Sequence, residues 1–166
     1  MPMLDGLRIV QSKIHGYGGI ATRPFKKGER IVYGDGILYR EDDDFDDTYA
    51  LIVDGEASGK GDVLFWDLTC QTRWFNHSCE PNSEVCSEWD AANDTLSAWW
   101  IALRDIEPGE EILYDYGFAA EVAEVCHCGA KTCRGLIVDD DPENLAKLPP
   151  ELKKHLKIPA APRVAV

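Results

Sequence analysis

Residues 73–82 read Arg-Trp-Phe-Asn-His-Ser-Cys-Glu-Pro-Asn, an order that a generic strand gains nothing from. Asn76 and His77 supply side-chain donors and acceptors straight after an apolar step, and a turn can aim them with its own backbone groups at one ligand. Pro81 cannot continue a central strand, so the segment must break into a loop just after Cys79. The asparagines at 76 and 82 suit a backbone that departs from regular structure. A surface turn with a buried thiol is the plain alternative. A second group, Cys126-His127-Cys128-Gly129-Ala130-Lys131-Thr132-Cys133, spaces three thiols as C-x-C-x4-C. A structural zinc ion needs four tetrahedral ligands and favours thiolates. His127, set between two ligating cysteines, would point away from a shared ion. Cys79 is the better fourth ligand, because it would tie the C-terminal part back onto the central loop. Cys70 and Cys86 read as ordinary buried thiols. Inert cysteines throughout are the alternative to metal.

The third stretch is Ser12-Lys13-Ile14-His15-Gly16-Tyr17-Gly18-Gly19-Ile20-Ala21. Three glycines in four positions let a backbone turn sharply and approach a ligand without Cβ obstruction. It fails as a phosphate loop, lacking a Gly-Lys-Ser/Thr ending and any helical pattern after it. Taken alone, a glycine turn between two strands is the simpler reading.

The elements that must position these groups are mostly short strands. Apolar runs at 7–10, 30–33, 37–39, 49–53, 63–67, 96–103 and 111–118 are separated by glycine or proline turns, among them 24–29, 59–62 and 107–110. That spacing predicts a mainly β domain. Helical character comes only near the end, where Leu145, Leu148, Leu152 and Leu156 recur at intervals of three and four. Pro149-Pro150 should start or kink that helix, and 159–166 should be a loose tail.

The chain has 166 residues, 45% of them hydrophobic, which bounds it to one globular domain with a real core. No apolar run approaches the ~20 residues of a membrane span, and the N-terminus lacks the basic-then-apolar layout of a secretion signal. An intracellular protein that meets no membrane is expected. Thirty acidic against seventeen basic residues give a formal charge of −13. Such a field repels nucleic acid, so no direct nucleic-acid partner is expected, and it attracts cations, although solubility alone explains many acidic chains. The acids form two runs, 41–47 and 139–143, and the first lies between aromatic segments as a rim for a groove receiving a basic peptide.

Taken together, these fragments resemble SET-domain protein lysine methyltransferases. Asn76-His77-Ser78-Cys79-Glu80-Pro81-Asn82 looks like the signature of that family, and Glu110-Glu111-Ile112-Leu113-Tyr114-Asp115-Tyr116-Gly117 like its second signature. Ile14-His15-Gly16-Tyr17-Gly18 resembles the first cofactor turn, and Cys126-x-Cys128-x4-Cys133-Arg134-Gly135 the post-SET zinc segment. The order and separations agree over residues 8 to 137. The resemblance implies a β-clip of several short sheets with a C-terminal pseudoknot, a zinc-binding post-SET segment and a C-terminal helix. The implied division is 1–120 for the SET domain, 121–138 for the post-SET segment and 139–166 for the helix and tail. It implies S-adenosylmethionine as methyl donor, with His15, Gly16, Tyr17, Thr48, Tyr49, Arg73, Asn76, His77 and Leu136 around it. Tyr116 corresponds to the catalytic tyrosine, Tyr33 and Tyr114 to aromatic walls of a lysine channel. Cys79, Cys126, Cys128 and Cys133 match the ligands of one structural zinc ion.

The implied substrate is a lysine on a basic protein or peptide, a histone-like tail or a ribosomal protein. Its location would be cytoplasmic, or nuclear or nucleoid-associated. Donor and peptide would enter from opposite faces, joined by an aromatic tunnel. In the family, a tyrosine two residues before the catalytic one leaves little room, so Tyr114 implies mainly monomethylation. The chain departs from the pattern at Thr69-Cys70-Gln71-Thr72, where a Gly-Asn pair is common; its insert between Asp54 and Val63 is short, and no cysteine-rich segment precedes residue 8. The competing readings are a catalytically silent SET-like, zinc-stapled binding module and a small zinc protein with no cofactor.

Overall fold

The computed structural model describes residues 5–53 and 63–157. Twelve strands are present among them: β1 (Leu7–Gln11), β2 (Tyr17–Ala21), β3 (Arg30–Tyr33), β4 (Gly36–Arg40), β5 (Ala50–Val53), β6 (Leu64–Leu68), β7 (Asn76–His77), β8 (Ser83–Asp90), β9 (Thr95–Ala102), β10 (Leu113–Tyr114), β11 (Glu124–Val125) and β12 (Leu136–Ile137). Two short helices follow, α1 (Pro142–Ala146) and α2 (Pro150–Lys153). The strands form five small sheets: β1-β2, β3-β9-β8, β4-β6-β5, β7-β10 and β11-β12. No helix among the described residues is long and apolar enough to cross a membrane.

Strand parity builds the core. In β9 the even residues Leu96, Ala98, Trp100 and Ala102 are buried and the odd ones are not; in β6, Leu64, Trp66 and Leu68 alternate likewise. Trp100 and Trp66 meet Phe25, Phe75, Ile106, Ile112 and Tyr114 in one cluster. A second cluster, Ala120, Leu136, Val138 and Leu148 with Leu145, Leu152 and Leu156 against it, joins the cysteine segment to the two helices. Gly135 adopts φ +84°, and a Cβ there would run into the His155 carbonyl, so only glycine lets these pieces close.

The four periodic leucines thus share one apolar surface, but not one helix: Leu145 and Leu152 lie in α1 and α2, and Leu148 and Leu156 just beyond their ends. Pro149 and Pro150 lack amide hydrogens, so the hydrogen-bond ladder stops between them. The strand expected over 111–118 shrinks to Leu113–Tyr114, which pairs parallel with Asn76–His77. The side chain of Asn82 takes over ladder positions there: its Nδ2 donates to the Glu111 carbonyl (2.7 Å) and its Oδ1 accepts from Leu113 N–H (2.9 Å). Ser83 Oγ donates to the Leu113 carbonyl (2.9 Å), and Ser78 N–H to that of Tyr114 (3.1 Å). Loop 76–83 and segment 111–116 are therefore interlocked where a pseudoknot was expected. Strand β8 escapes the sequence reading because glutamates and serines occupy half of its positions. The acidic run is exposed, yet Phe45 within it stacks on Tyr39 at 4.2 Å and tilts against Phe65 at 5.6 Å. The turn expected at 59–62, the short insert before Val63 and the tail at 159–166 lie outside the described residues.

Asn82 is 2% exposed and serves two part-buried backbone groups. Asn82→Leu keeps its bulk and strands both, so unfolding in urea should show a loss of about 2–5 kcal/mol.

Candidate active site

Asn76 anchors the glycine turn. Its Nδ2 lies within hydrogen-bond distance of the carbonyls of Tyr17 (2.8 Å) and His15 (3.2 Å) and of Glu111 Oε1 (2.8 Å). Ser12 Oγ donates to the same Glu111 carboxylate (2.8 and 3.0 Å), drawing the β1-β2 turn onto the interlocked segment. Phe75 fills the space that a Cβ on Gly19 would need. The glycines therefore do more than turn the chain: they bring the carbonyls of residues 15 and 17 against a buried amide.

An aromatic group sits beside that turn. Trp74 meets Tyr17 edge-on at 5.5 Å and Tyr49 at 5.3 Å, and the Arg73 guanidinium lies 4.2 Å above the Tyr49 ring. His15, Gly16, Tyr17 and Thr48 are exposed and Tyr49 and Arg73 half-buried, and Trp74 joins the Tyr17 ring to that of Tyr49. Leu136 is fully buried in the second cluster on β12, opposite Val125.

Tyr114 and Tyr116 continue a line of rings from the core. Trp100 meets Tyr114 at 5.7 Å, Tyr114 meets Tyr116 at 4.8 Å, and Tyr116 meets Phe118 at 5.5 Å. Burial raises both phenols above their ordinary range, with Tyr49 and Glu111 adding to the effect at Tyr116. Tyr116 Oη donates to the Phe75 carbonyl (2.8 Å), one residue before Asn76. Its amide donates to His77 Nδ1 (3.2 Å). Burial pushes His77 down to about 4, with Asp115 opposing and Arg134 reinforcing the shift, so the ring is neutral at pH 7. The structure does not bring Tyr33 to this line. It pairs across the ladder with Trp99, which it meets at 6.4 Å, while its neighbour Val32 pairs with Trp100; it is 55% exposed, with Arg30 4.3 Å over its ring.

The cysteine segment docks on the turn after His77. Ligand atoms of His77, Cys79, Cys126 and Cys128 all lie within 4.8 Å of one another. Cys133 falls outside that tightest group. Cys79 and Cys126 sulfurs are 3.8 Å apart, about the edge of a tetrahedron with zinc–sulfur bonds of ~2.3 Å. Amides of Cys128, Arg134 and Gly135 donate to the sulfurs of Cys126, Cys79 and Cys133, each at 3.4 Å, as thiolate ligands require. The donor set fits a structural zinc ion. Thr132 Oγ1 adds a 2.6 Å bond to Glu80 across the same junction. Beside it runs a groove of about 620 Å³ whose lining includes Pro81, Glu84, Val85, Leu103, Asp139 and Asp140.

The chain matches the SET domain family over residues 16–117, more than half of its length, and belongs to that family. It is 34% identical over 143 residues to histone-lysine N-methyltransferase 2B of Homo sapiens, covering 78% of this chain and 5% of the relative. It is 36% identical over 95 residues to histone-lysine N-methyltransferase Set2 of Drosophila melanogaster, covering 54% of this chain and 4% of that one. The chain thus spans a small fraction of the length of these relatives. Its fold matches the structure of KRYPTONITE in complex with mCHH DNA, H3(1-15) peptide and SAH, with a TM-score of 0.62 at 23% identity over 79% of this chain and 29% of that chain.

In metal-free protein the thiols should differ in reactivity. Burial pushes Cys79 up to about 11; Cys128 is also partly buried, but hydrogen bonds from the amides of Cys79 and Ala130 and from the thiols of Cys126 and Cys133 bring it down to about 7. At pH 8 Cys128 is therefore the more ionised, and iodoacetamide should label it before Cys79. One bound zinc ion per chain should suppress both reactions, as peptide mass spectrometry can show.

Proposed function

We propose that this chain transfers a methyl group from S-adenosylmethionine to a lysine side chain of a basic protein or peptide, mainly once per lysine. The observation that carries this reading is the line of rings that runs from Trp100 through Tyr114 to Tyr116, whose hydroxyl touches the backbone next to Asn76. The donor, when bound, supplies an electrophilic methyl on a positively charged sulfur. Asn76, His77 and the glycine turn, with Tyr17, Tyr49 and Arg73 at the rim, would hold it, and Leu136 would lie towards its adenine. A lysine ammonium is protonated near neutral pH and must lose a proton to attack. An aromatic tunnel strips its water, and a neighbouring positive charge repels it; both lower its pKa, so no dedicated side-chain base is needed. Tyr116, kept neutral by burial, still has lone pairs free to accept after donating to Phe75, and can orient the amine. Tyr114, 6% exposed, would narrow the tunnel, and Tyr33 would act from its outer side.

One zinc ion on Cys79, Cys126, Cys128 and Cys133 would staple the post-SET segment, 121–138, to the SET domain, 1–120, with the helices of 139–157 packed behind it. The substrate reading, a histone-like tail or a ribosomal protein, draws on the net charge of −13 and on the acidic lining of the groove at Glu84, Asp139 and Asp140. Such a substrate places the protein inside a cell, cytoplasmic or at the nucleus or nucleoid, away from membranes.

Incubation with labelled donor and free histones or a cell lysate should give labelled lysine, chiefly monomethyl by mass spectrometry. S-adenosylhomocysteine raising the melting midpoint without any transfer would point instead to a silent binding module. Tyr116→Phe should lower turnover by about 100-fold. Tyr114→Phe should retain activity and shift products toward dimethyl-lysine; trimethyl-lysine from the unmodified protein would overturn the monomethyl reading. Because Tyr116 is raised, the rate should not fall through phenol ionisation as pH climbs to 10.

A further inference from the structure

Between the two tyrosines sits a carboxylate with no part in the transfer itself. Asp115 accepts from both terminal nitrogens of Arg134, Nη1 at 2.7 Å and Nη2 at 2.8 Å. A forked pair fixes distance and plane together, which a lysine cannot do. The two side chains are only 16% and 13% exposed, so solvent screens the pair less than a surface one. Arg134 directly follows Cys133, and its own amide donates to the Cys79 sulfur at 3.4 Å. The pair therefore runs from the cysteine loop to the tyrosine segment.

Tyr116 is held by the peptide groups on both of its sides. Its own amide donates to His77 Nδ1 at 3.2 Å, and the next amide, of Gly117, donates to Asp115 Oδ1 at 3.2 Å. Because Nδ1 accepts, the imidazole proton lies on Nε2, 3.4 Å from the Cys79 sulfur. Asp115 Oδ1 is also 3.5 Å from Nδ1. Each amide flanking the Tyr116 side chain thus ends on a group that the thiol loop restrains.

We propose that Asp115 is a positioning residue: through Arg134 it couples the order of the cysteine loop at 126–135 to the setting of the Tyr116 hydroxyl. The loop is then more than a staple, since loosening it releases the backbone that aims the phenol. The role of that phenol rests on the methyltransferase reading; the coupling does not.

Hydrogen exchange of the full chain tests the coupling without substrate. In the parent, zinc chelation should speed exchange at the Tyr116 and Gly117 amides by about tenfold or more, as at other locally opened sites. Asp115→Asn should speed it before chelation, and chelation should then add little. Arg134→Lys, which keeps the charge and loses the fork, should fall between; it carries the test if Asp115→Asn does not fold. If chelation accelerates these two amides as much in the variants as in the parent, or in none of them, the coupling is wrong. Where transfer is measurable, Asp115→Asn should lower kcat about tenfold with KM for peptide and donor within about twofold, and Asp115→Asn/Arg134→Gln should be no worse than the weaker single variant. Additive losses, or losses in KM alone, would overturn the positioning role while leaving methyl transfer standing.

Discussion

The interlock between loop 76–83 and segment 111–116 is the constraint to which the rest of the site is referred. Two residues of parallel ladder would be a weak join, because so short a pairing satisfies few backbone groups. The Asn82 amide, standing in for a missing stretch of strand, adds two rungs, and Ser83 and Ser78 add others. With that join made, Asn76 and His77 on one side face Tyr114, Asp115 and Tyr116 on the other. The glycine turn is then drawn in through Glu111, and the cysteine loop through Cys79 and Asp115. Each later contact uses a group that the interlock has already placed.

What the sequence showed of this arrangement depended on whether a residue type was unusual in its own neighbourhood. Asn76-His77 and the three terminal cysteines stand out locally, and the structure brings His77 together with Cys79, Cys126 and Cys128 while Asn76 anchors the glycine turn. Strand content was legible from short apolar runs separated by glycine or proline turns, although β8 was hidden by its polar face and 111–118 read as longer than its ladder. Tyr33 shows the opposite case. Which face of a sheet a residue occupies depends on register, and a chain read in order carries no register; the pairing of Tyr33 with Trp99, not Trp100, sets it on the outer face. The same limit hid Glu111, Trp74 and the Asp115–Arg134 pair, whose partners lie far away in the chain. Cys133 was placed by spacing, whereas proximity sets the His77 ring nearer to the other three thiols; side-chain direction, not sequence distance, decides this.

The chain is strongly acidic, yet the titratable side chains along its line of rings are uncharged. Both tyrosines are held as neutral phenols and His77 as a neutral imidazole, each chiefly by burial. The forked Asp115–Arg134 pair keeps two opposite charges close to this region without leaving either alone. A low-dielectric pocket inside an acidic surface separates two tasks, since long-range attraction belongs to the outside and desolvation to the inside.

The long β8–β9 ladder bears on how such a chain reaches its native state. It zips from Asp90–Thr95 to Ser83–Ala102, a local event that needs only a tight turn to nucleate. Once zipped, it carries residues 83 and 102 side by side and so shortens the chain that must still find itself between 77 and 113. Loop-closure entropy then favours an order of assembly in which the hairpin comes first and the interlock last. A newly made chain would therefore own most of its core before it owned its pocket.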